Sequence, residues 1–150
     1  MRAVIQRVSN AQVVIDHKLH AQIKNGLLLL VGIEESDSFE DVLWLTKKII
    51  QMRIFADHEG QMNKSINDVD GDILVVSQFT LHAKTKKGNR PSFINAAKPK
   101  LAIPLYEAFV KQLELLLANN VKTGVFGADM QVSLCNDGPV TILIDSKRKE

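Results

Sequence analysis

Cysteine is almost missing from this chain: Cys135 is the only one. No internal disulfide can form, and a lone thiol favours a reducing compartment. The four histidines, His17, His20, His58 and His82, never fall into a His-Glu-x-x-His pattern. His17 and His20 stand at what reads as a hairpin tip, where solvated side chains are the simpler account than a metal pair. Long apolar runs are missing too. The longest, Leu27 to Val31, is far too short to span a bilayer. The N-terminus, Met1 to Val8, alternates like a strand and lacks the apolar stretch of a signal peptide. Also absent are a Gly-x-x-x-x-Gly-Lys phosphate loop, a Gly-x-Gly-x-x-Gly dinucleotide loop and a Gly-x-Ser-x-Gly elbow. These absences argue against nucleotide-driven, redox and ordinary serine-hydrolase chemistry. They predict a cytoplasmic protein without cofactor, metal or membrane anchor.

What remains is ordinary in bulk and uneven in detail. The 150 residues suit one domain over 1–150, with 45% hydrophobic and 24% charged content. A chain of this length buries roughly 68–70% of its unfolded surface, so a core forms without covalent support. Between Ile73 and Tyr106 there is no acidic residue, while Lys84, Lys86, Lys87, Arg90, Lys98 and Lys100 all fall there. The rest of the chain is net acidic. A basic island on an acidic body is suited to holding phosphates, though lysines that serve solubility look the same.

Periodicity supplies the elements. Residues 1–9 alternate as a strand, and 12–16 with 19–24 form the arms of a hairpin around His17-Lys18. The run 27–33 reads as a buried central strand. Ser38-Phe39-Glu40-Asp41 resembles a capping box, opening a helix that runs to about Met52 through Val42, Leu45 and Ile49. A short strand follows at 53–55, then a long polar connection over 57–72. Ile73 to Val76 is a buried strand leading straight into Ser77-Gln78, and 83–93 is a basic loop. A second helix lies between Pro99 and Asn120 with Leu101, Leu105, Phe109, Leu113 and Leu117 as its apolar stripe. Pro104 makes that helix either start near Ile103 or bend. Residues 129–136 and 140–145 are two last strands, and 146–150 a loose tail. The expected class is α+β, a curled mixed or antiparallel sheet, barrel-like, with two main helices.

Two segments carry chemistry. In Asn136-Asp137-Gly138-Pro139-Val140-Thr141, proline makes the Gly138-Pro139 bond able to be cis at modest cost. A cis bond here aims two carbonyls one way with no side chain between them, a shape gauge for a small ligand. A plain turn between strands is the alternative. In Ser77-Gln78-Phe79-Thr80-Leu81, a strand end presents two hydroxyls, an amide and successive backbone N–H groups that can face an oxyanion. A strand with a polar edge is the alternative. Arg90 pairs with phosphate or carboxylate in a two-pronged way. Phe126 and Met130, four apart around Gly127, either stack on a base or fill the core.

In these segments, and in Met1 to Val8, Arg90-Pro91-Ser92-Phe93 and Gly124 to Met130, the chain resembles the D-aminoacyl-tRNA deacylases, formerly D-tyrosyl-tRNA deacylases. The resemblance covers residues 1–145. It implies a homodimer acting on the acceptor end of aminoacyl-tRNA, with Gly138 and Pro139 reaching into the partner's site to reject L-amino acids. It implies catalysis at Ser77, Gln78, Phe79 and Thr80, contacts to the terminal adenosine by Phe126 and Met130, and tRNA guidance by Lys84, Lys86, Lys87 and Arg90. It extends the substrates to glycyl-tRNA mischarged on tRNA-Ala. Thr80 is either nucleophile or positioning residue, with His82 two residues on in a strand and so on its face. A non-catalytic RNA-binding module and a small-ester hydrolase using Thr80 are the competing accounts.

Overall fold

The computed structural model describes residues 1–149. Strand β1 (Arg2–Ile15) is the spine of the molecule. On one side it pairs antiparallel with β2 (Lys18–Ile23) and β3 (Gly26–Gly32). On the other it pairs along nearly its whole length with β8 (Gln131–Asp145). Beyond β3 the sheet continues parallel into β6 (Asp72–Ser77) and β7 (Val121–Thr123). The order β2-β1-β3-β6-β7, with β8 on β1, is the expected mixed sheet curled into a nearly closed barrel. A small hairpin, β4 (Phe55–Ala56) with β5 (Met62–Lys64), stands apart. Two α-helices, α1 (Phe39–Gln51) and α2 (Pro99–Leu116), cover one face.

The central strands are apolar on both faces because each face has its own core. Leu27, Leu29, Val31, Ile73 and Val75 pack under the helices, against Leu45, Ile49 and the fully buried Phe109. Leu28, Leu74 and Val76 pack on the opposite side with Val8, Val13 and Ile23. Such two-sided burial is what makes 27–33 and 73–76 read as unbroken apolar runs.

Several sequence expectations change. Residues 1–9 and 12–15 form one strand, whose face switches through register shifts between Gln6 and Val8 and between Val8 and Asn10. The two last strands are likewise one. Its first half (Val132, Leu134) packs in the second core and its second half (Val140, Ile142, Ile144) under the helices. The connection over 57–72 is not structureless: it holds β5, a 3-10 turn at Asn67–Val69 and the fully buried Ile66. Helix α2 begins at Pro99, not near Ile103, and runs through Pro104. Its buried stripe is Ala102, Tyr106, Phe109 and Leu113, so Leu101 and Leu105 lie at the margin.

Nor is the chain loose after Asp145. Ser146 is buried, takes a hydrogen bond from the Met1 ammonium at 2.9 Å and donates to Asp41 at 2.7 Å. Lys147 reaches the same carboxylate at 2.8 Å, and Asp37 pairs with the ammonium. Residue 150 lies outside the described residues. Burial opposes the Asp41 charge, but hydrogen bonds from Lys147, Ser146 and the Ser38 amide outweigh it, holding the carboxyl well below the ordinary carboxylate range. The Ser38–Asp41 bond, at 2.8 Å, is half of the capping box that starts α1.

Candidate active site

Strand β6 ends at Ser77, and the backbone then folds into a 3-10 turn over Phe79–His82. The apolar alternation of Phe79 and Leu81 suggests a continuing strand, but Gly32 removes the obstacle to folding over β3. A Cβ there would sit 2.9 Å from the Gln78 carbonyl and 3.0 Å from both Leu81 and His82. The turn is pinned by the Gln78 amide, which donates to the Val31 carbonyl at 2.7 Å. It is pinned again by Arg2, whose Nη1 donates to the Leu81 carbonyl at 2.9 Å while Nε holds Asp145 at 2.8 Å. As the first amides of a helical turn, the N–H groups of Phe79 and Thr80 find no acceptor among the described residues.

The turn settles the place of His82. It is not on a strand face shared with Thr80. It points inward, is buried, and sets Nδ1 3.7 Å from Glu34. Its Nε2 has no partner among the described residues. Thr80 instead engages Gln78, whose Nε2 donates to Oγ1 at 2.5 Å.

Beside the turn lies a trough of about 300 Å³. Its lining includes Ser77, Gln78 and Phe79 from the end of β6 and the turn, and Phe126, Gly127, Asp129 and Met130 from the segment before β8. The mainly apolar floor includes Val31, Ile33 and Ala102. Phe126 meets Tyr106 edge to face with centroids 5.8 Å apart. The Tyr106 hydroxyl donates to the Val75 carbonyl at 3.1 Å, and burial pushes its pKa up to about 12. Tyr106 is therefore neutral, its hydroxyl is engaged on a backbone carbonyl, and it supports Phe126 without itself lining the trough.

Gly138 and Pro139 do not line this trough. They lie at the middle of β8, exposed, in a bulge where Arg7 of β1 faces four residues, Asp137–Val140. The Gly138-Pro139 peptide bond is cis, and Gly138 has φ +134. Arg7 clamps the bulge: Nε donates to the Asp137 carbonyl at 3.0 Å and Nη1 to the Ile54 carbonyl at 2.6 Å. Asn136 closes it from inside, accepting from the Val140 amide at 3.0 Å and donating to Thr141 at 2.8 Å. Lys84, Lys86, Lys87 and Arg90 are exposed on the loop after the turn, outside the trough. That loop is closed by paired bonds between Lys84 and Ser92 at 2.8 and 3.0 Å.

The structure thus gathers Ser77, Gln78, Phe79, Phe126 and Met130, keeps Thr80 on the adjoining turn, and holds the glycine–proline bulge and the basic loop apart. The anchors Arg2 and Arg7 escape a sequence reading, because an arginine on a strand carries no local sign of its distant carbonyl partners. Among the described residues no helix is long and apolar enough to cross a membrane.

The chain matches the D-Tyr-tRNA(Tyr) deacylase family over residues 4–145. It is 64% identical to a D-aminoacyl-tRNA deacylase of Flavobacterium psychrophilum and 63% identical to one of Bacteroides fragilis, in each case over the full length of both chains. Among solved structures it superposes on the c-Myc DNA Unwinding Element Binding Protein with TM-score 0.92 and 39% identity, covering 97% of this chain and 98% of the other. A structure described as a probable eukaryotic D-amino acid tRNA deacylase shares the fold, with TM-score 0.80 at 18% identity, over 95% of this chain and 97% of that one.

Proposed function

The chain belongs to the D-Tyr-tRNA(Tyr) deacylase family and hydrolyses the ester of D-aminoacyl-tRNA, and we propose that it does so in the trough beside the Ser77–Thr80 turn. The carrying observation is the pair of unengaged amides at Phe79 and Thr80, set on a stiff strand end at the trough's edge. An ester carbonyl held there gains two donors for its developing negative charge, the interaction that most lowers an acyl-transfer barrier. Water is the nucleophile, helped by the ribose 2′-hydroxyl next to the ester. Thr80 lacks a neighbouring base and already accepts from Gln78, so it positions substrate and forms no acyl-enzyme. Phe126 and Met130 take the terminal adenosine.

Selection against L-amino acids falls to Gly138 and Pro139 of a second copy. Their exposure on a clamped bulge, away from their own trough, supports action in trans within a homodimer. A backbone wedge that excludes the L side chain takes no account of which D side chain is present, and it admits glycine, including glycine mischarged on tRNA-Ala. The basic loop steers the acceptor end through phosphate contacts. The whole of 1–150 acts as one domain, in the cytoplasm.

The test is deacylation of D-Tyr-tRNA beside L-Tyr-tRNA. Release of tyrosine from the D substrate alone is expected. Equal cleavage of both removes the sorting role, and RNA binding with no cleavage of either favours the non-catalytic account.

A further inference from the structure

Phe79 and Phe93 form an exposed aromatic pair that the ester chemistry leaves unused. Their centroids lie 5.1 Å apart, edge to face. Phe79 is 56% and Phe93 36% exposed. A chain that buries Phe109 completely leaves these two rings in water side by side. Their location gives the reason. Phe79 lines the trough and is itself more than half exposed, and Phe93, which is not among the lining residues, packs directly against it. The Lys84–Ser92 clamp delivers Phe93 to that place and leaves the intervening Lys86, Lys87 and Arg90 free in solvent. The segment from 73 to 106 carries no acidic residue; the carboxylate in the trough lining is Asp129. Aromatic rings interleaved with cations at a groove's mouth are the combination that holds single-stranded nucleic acid. Each ring offers a face to any base, while the cations follow the phosphates.

We propose that the Phe79–Phe93 pair is a stacking platform for the unpaired nucleobase that precedes the terminal adenosine of the substrate. The assignment rests on the ester lying in the adjacent trough. The strand then leaves past Phe79, its next base meets the ring pair, and its phosphates turn to the basic loop. Stacking is indifferent to base identity and to the helical part of the tRNA. The platform therefore recognises the single-stranded end as such.

The experiment compares the D-tyrosyl ester of adenosine with the D-tyrosyl ester of the trinucleotide CCA, as kcat/KM, for the full chain and its variants. For the unaltered chain the trinucleotide is expected to be better by roughly tenfold, mainly through KM, and to stay better in high salt. Phe93→Ala and Phe93→Leu should bring the ratio close to one. Phe93→Trp should preserve it, which also guards against reading misfolding as lost stacking. A trinucleotide no better than adenosine overturns the platform. So does a parallel fall of both esters in Phe93→Ala, since the ring then only props Phe79. A change of sedimentation coefficient in Phe93→Ala overturns it too, assigning the rings to contact between copies. Failure of the underlying site is seen separately, as absence of D-over-L preference with either ester in the unaltered chain.

Discussion

Gly138 occupies a position where a methyl group has nowhere to go. A Cβ would come within 2.9 Å of Arg7 Nη2 and of the Val140 side chain, on a backbone with φ +134 that L-residues rarely adopt. Gly138→Ala should cost about 1–3 kcal/mol, visible as a lowered melting temperature, and should reduce discrimination against L-Tyr-tRNA. Thr80→Val tests the neighbouring question. It removes only the hydroxyl that accepts from Gln78. Single-turnover kcat should stay within about tenfold of the unaltered chain, the scale of one neutral hydrogen bond, and no acyl-enzyme should accumulate in a quench experiment. Near-total loss would instead make Thr80 the nucleophile. Below the trough, Val75 O accepts from the Gly124 amide at 2.9 Å as well as from Tyr106, so Tyr106→Phe leaves that carbonyl satisfied. Its expected cost is about 0.5–1.5 kcal/mol by chemical denaturation.

At the scale of elements, the closure of the chain's two ends around Asp41 governs acid behaviour. The Asp41 carboxyl is held below its ordinary range in the fold. Its contribution is therefore present above the unfolded pKa of about 3.9 and is lost as pH falls below that value. Asp41→Asn should lower stability at neutral pH and flatten the acid limb of a melting-temperature profile. If the exposed basic loop meets tRNA through charge, each phosphate contact removed by changing Lys84, Lys86, Lys87 or Arg90 to Gln should reduce the log–log salt slope of tRNA binding by roughly 0.7–0.9. Elements differ in how far local sequence reveals them. The capping box at Ser38 and the two-sided apolar runs of β3 and β6 declare themselves, because the residues that define them are neighbours in the chain. The merging of 129–136 with 140–145 does not, since what joins them is pairing with β1 more than a hundred residues earlier. The 3-10 turn hides for a similar reason: Phe79 and Leu81 alternate as in a strand, and the space that lets the turn fold over comes from Gly32. The residues of the candidate site were legible as two short motifs. The arginines that hold those motifs were not.

For the molecule as a whole, the glycine–proline bulge and the trough are separate parts of one chain, the bulge lying outside the trough lining. If each trough is completed by the other copy, a chain impaired at Gly138 and a chain impaired at Gln78 carry complementary defects. Mixing the two after joint refolding should restore some D-selective hydrolysis that neither has alone, with sedimentation confirming dimers. No recovery in proven mixed dimers would place wedge and trough in the same copy. Arg2 gives this arrangement a further property. One guanidinium ties the trough's turn, at Leu81, to the terminal residue of the wedge strand, at Asp145. Losing that one guanidinium would therefore loosen two segments at once, the turn beside the trough and the end of β8, although they lie more than sixty residues apart in the chain.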